Sequence, residues 1–239
     1  MIEELRHRLR GLEKPVGLEG DPAALPLGAP TVDGVLGGGL MRGALHEIAA
    51  AGEANIAAAT GFATGVAALA TRSLLWVAED MCSLESGAPY GPGLAAVDLA
   101  PERLVTVAVA QRRDLLWVME EALRCRAVGV VIGEMRHGAL DTVAVRRLSL
   151  AAAESGALAL LLRPAPEDDE STAATRWIVA TAASNNERPR FLAQLVRNRR
   201  GPRGQWILEW SDNDGHFTCA AHAQPVAAPP VHRPRRQVA

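Results

Sequence analysis

The sequence predicts an α/β fold, with a largely parallel β-sheet flanked by helices and continued by antiparallel hairpins towards the C terminus. Near-continuous apolar runs, such as residues 74–79 and 128–133, alternate with helical segments, as in parallel strands buried on both faces. Beyond Arg163 the segments alternate polar and apolar residues, which indicates hairpins. Among the 239 residues, 49% are hydrophobic and 22% charged, which excludes a disordered, collagen-like or coiled-coil protein.

The first 30 residues predict a short helix followed by an extended arm. Leu5, Leu9 and Leu12 recur at helical spacing within residues 3–13, and residues 14–30 are rich in proline and glycine. So short a helix is marginal alone in water, so its leucines are expected to dock on a second copy, a partner or the chain's own core. We expect the folded core to span residues 31–222.

Strands and helices are expected to alternate within this core. The uncharged run 54–71 is long enough to suggest a membrane span, but its alanines, glycines and threonines favour a buried helix. Asp114 is a candidate helix cap. The predicted strands are 44–50, 74–79, 104–109, 128–133 and 157–162, and the predicted helices are 56–72, 114–126 and 141–154.

The C-terminal part predicts hairpins and a tail. A Ser-Asp-Asn-Asp-Gly turn at 211–215 separates two alternating segments, so the last hairpin is the most strongly predicted one. Residues 223–239 carry arginines and prolines without apolar periodicity, which predicts a disordered basic tail. The predicted hairpin strands are 177–183, 191–197, 205–210 and 216–220.

Charge and cysteine content limit the possible functions. The 25 basic and 27 acidic residues give a net charge of -2, so contact with nucleic acid requires a local basic patch. Lys14 is the only lysine, so a function that needs lysine has one candidate. The three cysteines are far apart, and the N terminus has no apolar export segment. We therefore expect a cytoplasmic protein with reduced thiols and no membrane association.

The stretch from Leu27 to Ile48 carries the first family resemblance. A short helical segment, a Gly37-Gly-Gly39 turn, an Arg-Gly turn and a strand follow one another, and the arrangement resembles the entry to the ATPase core of the RecA recombinase family. In an active member a Gly-x-x-x-x-Gly-Lys-Ser/Thr loop would follow, whose amides, lysine and hydroxyl hold phosphates and Mg²⁺.

This phosphate loop is missing from the sequence. Its place is taken by a segment containing Gly52, Glu53 and Asn55, without lysine, and Glu53 puts a negative charge where phosphate would bind. Glu79 and Asp80 match the position of the family's catalytic glutamate. Glu134 follows Gly133, where the family carries a metal-orienting aspartate, and could partly replace it.

These residues imply a degenerate nucleotide site. We expect no enzymatic activity and no cofactor, with a residual ATPase as an alternative. His216, Cys219 and His222 have spacing compatible with metal ligands, but a strand would send the first two to opposite faces. We therefore expect no metal site.

Basic residues concentrate in a second informative segment, residues 191–210. Its arginines form either a solvated hairpin tip or a patch that contacts the phosphates of single-stranded DNA weakly. They are Arg197, Arg199, Arg200 and Arg203.

With both segments considered, residues 27–222 resemble the ImuA family of inducible mutagenesis proteins. The most specific element is the Leu-Val-Arg-Asn-Arg-Arg-Gly-Pro-x-Gly-x-Trp pattern at 195–206. The resemblance implies a RecA-like core that acts without catalysis in damage-induced, error-prone translesion DNA synthesis. It implies as partners the Y-family polymerase relative ImuB and a specialised replicative-type polymerase. A cell-division inhibitor of the damage response is the alternative from another class.

Overall fold

The structure is a computed structural model, which describes residues 23–136, 142–164, 172–184 and 188–220. The predicted N-terminal helix with Leu5, Leu9 and Leu12, most of the arm and the predicted basic tail lie outside the described residues. Within the described ranges, no helix combines the length and the apolar character needed to cross a membrane.

Strands and helices alternate along the described chain. The strands are β1 (Ala24–Leu25), β2 (Leu40–Met41), β3 (Ala44–Ala50), β4 (Ser73–Glu79), β5 (Leu104–Val109), β6 (Val128–Glu134), β7 (Leu158–Leu162), β8 (Thr175–Thr181), β9 (Arg190–Asn198), β10 (Gly204–Ser211) and β11 (His216–Cys219). The helices are α1 (Pro30–Leu36), α2 (Ile56–Ala68), α3 (Asp80–Ser86), α4 (Gly91–Ala95), α5 (Arg112–Arg124) and α6 (Thr142–Ser155).

Nine of the described strands form one sheet in the order β11-β10-β9-β8-β3-β7-β6-β4-β5. The six strands from β8 to β5 are parallel to one another, whereas β9, β10 and β11 pair antiparallel. Strands β1 and β2 form a separate antiparallel pair. The predicted fold class is therefore confirmed.

Both faces of the parallel part are covered over its central strands, as the apolar strands predicted, whereas β5 at the edge leaves Val105, Thr106 and Ala108 exposed. Helix α2 packs on one face against β3, β7 and β8, while α5 and α6 pack on the other. Every residue of β7 is buried, and the run 54–71 forms the buried helix that its composition predicted. The carboxyl ends of β3, β6 and β7 consequently lie together at one edge of the sheet.

An aromatic cluster packs α2 against strands β8, β9 and β11. The Phe62 ring on α2 lies 5.6 Å from Trp177 of β8 and 5.4 Å from Phe217 of β11, measured between centroids. Phe191 of β9 meets Phe217 edge-on at 6.2 Å. Such tilted and edge-on contacts each contribute about 0.5–1.5 kcal/mol beyond their buried area.

The end of the expected arm belongs to the folded core. Leu25, Leu27 and Ala29 are buried in the main hydrophobic cluster, because β1 pairs with β2 and places this segment against it. The backbone amides of Leu27 and Gly28 donate to the Asp33 carboxylate at 2.7 and 3.0 Å. Proline and glycine here therefore mark a turn-rich part of the core.

The boundaries of several predicted elements shift; helix α2, for example, ends at Ala68, before the predicted residue 72. Helix α5 begins at Arg112 after Gln111, so Asp114 lies in its first turn, where its charge suits the helix dipole, and does not cap it. Strand β8 begins two residues before the predicted start, because its pairing with β3 extends to Thr175.

We predict that Gly65→Ala destabilises the protein. A Cβ atom at Gly65 on α2 would lie 2.5 Å from Cζ of the buried Phe217 ring, so the aromatic cluster would have to shift. Overpacking of this kind costs about 1–3 kcal/mol, more than the gain of about 1 kcal/mol in helix propensity. Denaturant unfolding of the purified protein measures the change.

The matched control for this substitution is Gly34→Ala on α1. A Cβ atom there meets no heavy atom within 4 Å, so the free energy of unfolding should stay constant or rise by about 0.4–1 kcal/mol. A Gly65→Ala variant that is at least as stable as the Gly34→Ala variant would contradict the prediction.

Candidate functional site

A pocket of about 500 Å³ opens at the carboxyl ends of β3, β6 and β7. Ligands of α/β sheets bind beyond the carboxyl ends of the strands, so this pocket is the first candidate for a functional site. Its wall is mostly apolar, with four charged residues. The lining residues are Ile48, Ala50, Gly52, Glu53, Ile56, Ala59, Glu85, Met135, Arg136, Leu162, Arg163 and Pro164.

The loop after β3 occupies the position of the expected phosphate loop. Gly52 adopts φ 105°, a left-handed conformation, and precedes a single 3-10 turn at Glu53–Asn55. Asn55 donates its side-chain amide to the Ala51 carbonyl at 3.2 Å and accepts the Thr181 backbone N–H at 2.9 Å. The Asn55 side chain therefore holds the loop against the end of β8. Gly52 and Glu53 line the pocket, whereas Asn55 braces the loop.

Glu134 at the end of β6 is buried, and both of its carboxylate oxygens are engaged. Arg136 donates to Oε1 at 2.6 Å, and the indole N–H of Trp76 donates to Oε2 at 2.9 Å. The Cys82 thiol donates to the Glu134 backbone carbonyl, and burial raises the pKa of Cys82 to about 11. The Glu134 carboxylate is thus committed to structural contacts.

The other two predicted carboxylates lie at the end of β4. Arg112, the first residue of α5, donates to Glu79 Oε1 at 3.2 Å, so Glu79 is paired with a cation from the neighbouring helix. Asp80 is exposed and begins α3, where a negative charge suits the helix N terminus. Neither residue lines the pocket, and both have local structural roles.

A buried ion cluster that includes the pocket-lining Arg163 was not predicted. Glu47 on β3 is 1% exposed and accepts Arg163 Nη1 at 3.1 Å and Arg176 Nε at 2.7 Å. Arg163 follows β7 and Arg176 lies on β8, so one carboxylate joins three neighbouring strands. The sequence signal that could have revealed this cluster is an acid in a run, 44–50, in which His46 is the only other polar residue, because a buried acid needs a partner cation.

His46, the neighbour of Glu47, is also fully buried. Its Nε2–H donates to the Met41 carbonyl at 2.9 Å, and Nδ1 lies 2.7 Å from the Thr175 hydroxyl. Burial lowers the pKa of His46 to about 4, against the smaller raising effect of the Met41 carbonyl. The imidazole is therefore neutral at physiological pH and links β3 to β2 and β8.

The charge of the pocket does not favour phosphates. Arg136 and Arg163 are its cations, but each is already bound to a buried carboxylate, Glu134 and Glu47 respectively. Glu53 and Glu85 add two acids at the wall. Because both arginines are already bound to carboxylates, a triphosphate entering here would meet two acidic side chains without a cation reserved for it.

The predicted basic patch lies at the opposite end of the parallel strands from the pocket. Asn198, at the end of β9, pairs with Thr175 at the start of β8, so the loop between β9 and β10 lies at the amino end of the parallel strands. Arg199, Arg200 and Arg203 are exposed in this loop. Arg197 lies inside β9, half-buried opposite Arg176 in register, so it is separated from the other three.

The candidate metal ligands are engaged locally in the described part of the chain. Cys219 Sγ lies 3.1 Å from the Thr31 hydroxyl, and His216 Nδ1 lies 2.9 Å from the Phe217 carbonyl. His222 lies outside the described residues. No group of three or more histidine, cysteine or acidic side chains suited to a metal occurs within those residues.

Comparison with known proteins identifies the fold. No family model matches this chain, and no curated protein matches it significantly. Among solved structures, a crystal structure of the RadB recombinase matches with a TM-score of 0.59 and 14% sequence identity, covering 82% of this chain and 100% of that chain. At this identity the likeness speaks for the fold alone, and the fold of this chain is RecA-like.

Proposed function

We propose that this protein is a non-catalytic RecA-like accessory subunit of damage-induced, error-prone translesion DNA synthesis. Its proposed partners are a Y-family polymerase relative of the ImuB type and a specialised replicative-type polymerase. The proposal rests on the residues that stand where a RecA-like protein would bind a nucleotide. A RecA-like sheet is present, but the loop after β3 has no lysine, and arginines neutralise Glu47, Glu79 and Glu134.

Exposed apolar side chains beside the pocket support a protein-binding role. Met81 and Leu84 lie one turn apart on α3, the helix that follows β4, and Leu84 is 78% exposed. Glu85 of the same helix lines the pocket, and Tyr90 is exposed shortly after it. Apolar side chains beside one another at a surface are typical of a contact with another protein.

A genetic complementation experiment tests this function. We expect deletion of the gene to lower the frequency of damage-induced mutations and the intact gene to restore it. We expect Glu79→Ala to restore it fully too, because a non-catalytic subunit does not need this carboxylate. Loss of mutagenesis with Glu79→Ala while the protein remains folded would contradict the non-catalytic role.

Affinity purification from damage-treated cells separates this proposal from its alternative. The proposal predicts that a polymerase-like partner is recovered in the purified complex. It also predicts that the double variant Leu5→Ala/Leu9→Ala no longer recovers this partner, while its melting temperature stays unchanged. Recovery of the cell-division GTPase in place of a polymerase relative would favour a division inhibitor.

The position of the pocket at the strand ends also makes the enzymatic alternative, a residual ATPase, testable. We predict that ATP is neither bound at micromolar concentration nor hydrolysed, because the lysine is absent and Glu53 and Glu85 face the pocket. Each missing charge-assisted contact costs about 1.5–3 kcal/mol. Calorimetry and phosphate release measure both properties.

The outcome that contradicts this prediction is specific. Turnover that survives repeated purification and disappears in the Glu79→Ala variant would establish a working catalytic site. A contaminating ATPase would instead be unaffected by this substitution.

We also predict that any binding of single-stranded DNA is weak, independent of base sequence and carried by the loop between β9 and β10. Arg199, Arg200 and Arg203 are exposed there, and each phosphate contact should contribute about −0.7 to the slope of log affinity against log salt. Replacing the three with alanine should flatten the slope. Fluorescence anisotropy with a labelled oligonucleotide measures it.

Arg113→Ala is the matched control, since this side chain is 82% exposed and lies near the other edge of the sheet. The control should leave the slope unchanged. An unchanged slope in the triple variant would show that the loop is only a solvated hairpin tip.

A further inference from the structure

The pocket at the carboxyl ends of β3, β6 and β7 has a mostly apolar wall. Seven of its twelve lining residues are apolar, among them Ile48 of β3, Ile56 of α2 and Leu162 of β7. Ile56 is only half-buried, so the apolar surface is reachable from the opening. Such a surface gains most from covering an apolar group that would otherwise face water.

The polar groups of this wall suit an uncharged acceptor better than an anion. Arg136 and Arg163 each donate to a buried carboxylate, so their charge is compensated. Each guanidinium has further N–H groups, and Nε of both arginines is buried without an acceptor in the described part of the chain. A peptide carbonyl placed against these groups would accept from them without adding a negative charge.

An exposed apolar strip continues the pocket wall along α3. Met81 precedes Glu85 by four residues, so the two side chains lie on the same face of this helix, and Glu85 lines the pocket. Met81 is 51% exposed, and the exposed Leu84 lies one turn after it. The apolar surface therefore extends beyond what a small molecule held in the pocket would cover, and it fits a segment of a protein.

The charge around the opening selects a basic segment. Glu53 in the pocket wall and Asp80 next to Met81 are exposed, and neither has an ion-pair partner among the described residues. The basic loop of this chain, residues 199–203, has no large apolar side chain, so the same loop of a second copy does not fit the apolar wall. The occupant that fits is a different protein, with an apolar side chain next to lysine or arginine.

We propose that this pocket, where a RecA-like protein would hold a nucleotide, receives a large apolar side chain from a basic segment of a partner protein. The side chain contacts Ile48, Ile56 and Leu162, and the neighbouring lysine or arginine lies against Glu53 at the opening. In the proposed accessory function this partner is the polymerase relative, so its identity rests on that function. The chemistry of the segment is testable without the partner.

Selection of short random peptides, displayed on phage, against the purified full-length chain tests this chemistry. We expect the selected peptides to share a large apolar residue next to lysine or arginine. Fluorescence anisotropy of a labelled synthetic copy gives its dissociation constant. Replacing the apolar residue with alanine should raise this constant at least about tenfold, equivalent to about 1.4 kcal/mol. Replacing the basic residue with glutamate should also raise it, and more so at low salt.

Two substitutions in the chain locate the binding site of the selected peptide. Ile56→Trp fills the pocket, and Glu53→Arg reverses the charge at its opening, so each should raise the dissociation constant at least about fivefold. The matched controls are Leu150→Trp, exposed on α6, and Glu102→Arg, exposed before β5; both lie away from the pocket and should leave the constant unchanged. Because Glu53 is exposed, its variant remains informative if Ile56→Trp does not fold.

Three results of the peptide experiment would overturn the proposal. One is a selection that yields no binding peptide. Another is a set of selected peptides that are acidic or lack a large apolar residue. The third is a peptide that the folded Ile56→Trp and Glu53→Arg variants bind as tightly as the unchanged chain does, since it then binds elsewhere.

Recovery of the partner from damage-treated cells separates this proposal from the accessory function. A polymerase relative recovered equally well with the unchanged chain and with both pocket variants would support the accessory function and overturn the pocket as its binding site. Peptides that bind as expected, without any polymerase relative recovered from cells, would support the pocket and contradict the accessory function.

Discussion

The buried carboxylate of Glu47 is the contact on which the middle of the sheet depends. It lies on β3, the strand between β7 and β8, and it binds Arg163 after β7 and Arg176 on β8. A buried charge is tolerated only with its partners in place, and removing one partner of such a pair costs about 3–5 kcal/mol. Any shift of β7 or β8 along β3 would break a contact, so the cluster specifies how the three strands align.

The position of this cluster also shapes the candidate site. Arg163 binds Glu47 and also lines the pocket. Arg136 likewise binds Glu134 and lines the pocket. The cations nearest to the pocket are therefore used to stabilise the sheet, and they are not available to neutralise phosphate. Arginine suits this use, because its planar group stays charged when buried and binds a carboxylate through several N–H groups.

The two surfaces for which we propose binding lie at different places on the sheet. The loop with Arg199, Arg200 and Arg203 is at the amino end of the parallel strands, whereas the apolar residues of α3 stand beside the pocket at the carboxyl end. The two proposed contacts, with nucleic acid and with a protein partner, would therefore not block each other.

Much of the fold could be predicted because strand and helix patterns are local. The apolar runs identified β3 to β7, and polar alternation identified the hairpins β8 to β11, since burial on two faces and on one face leave different periodicities. The same reasoning misassigned residues 24–29, because proline and glycine mark turns without showing whether the turns are buried. Leu25 and Leu27 enter the core only through the pairing of β1 with β2.

For the site, the sequence by itself determined that the loop after β3 contains no lysine, so this loop cannot supply the lysine that a phosphate-binding loop uses. Only the tertiary structure decided which charges meet. Glu47 and Arg176 are 129 residues apart, and Glu79 and Arg112 are 33 apart. The order of strands in the sheet brings such residues together, and this order follows from crossovers that no local periodicity records.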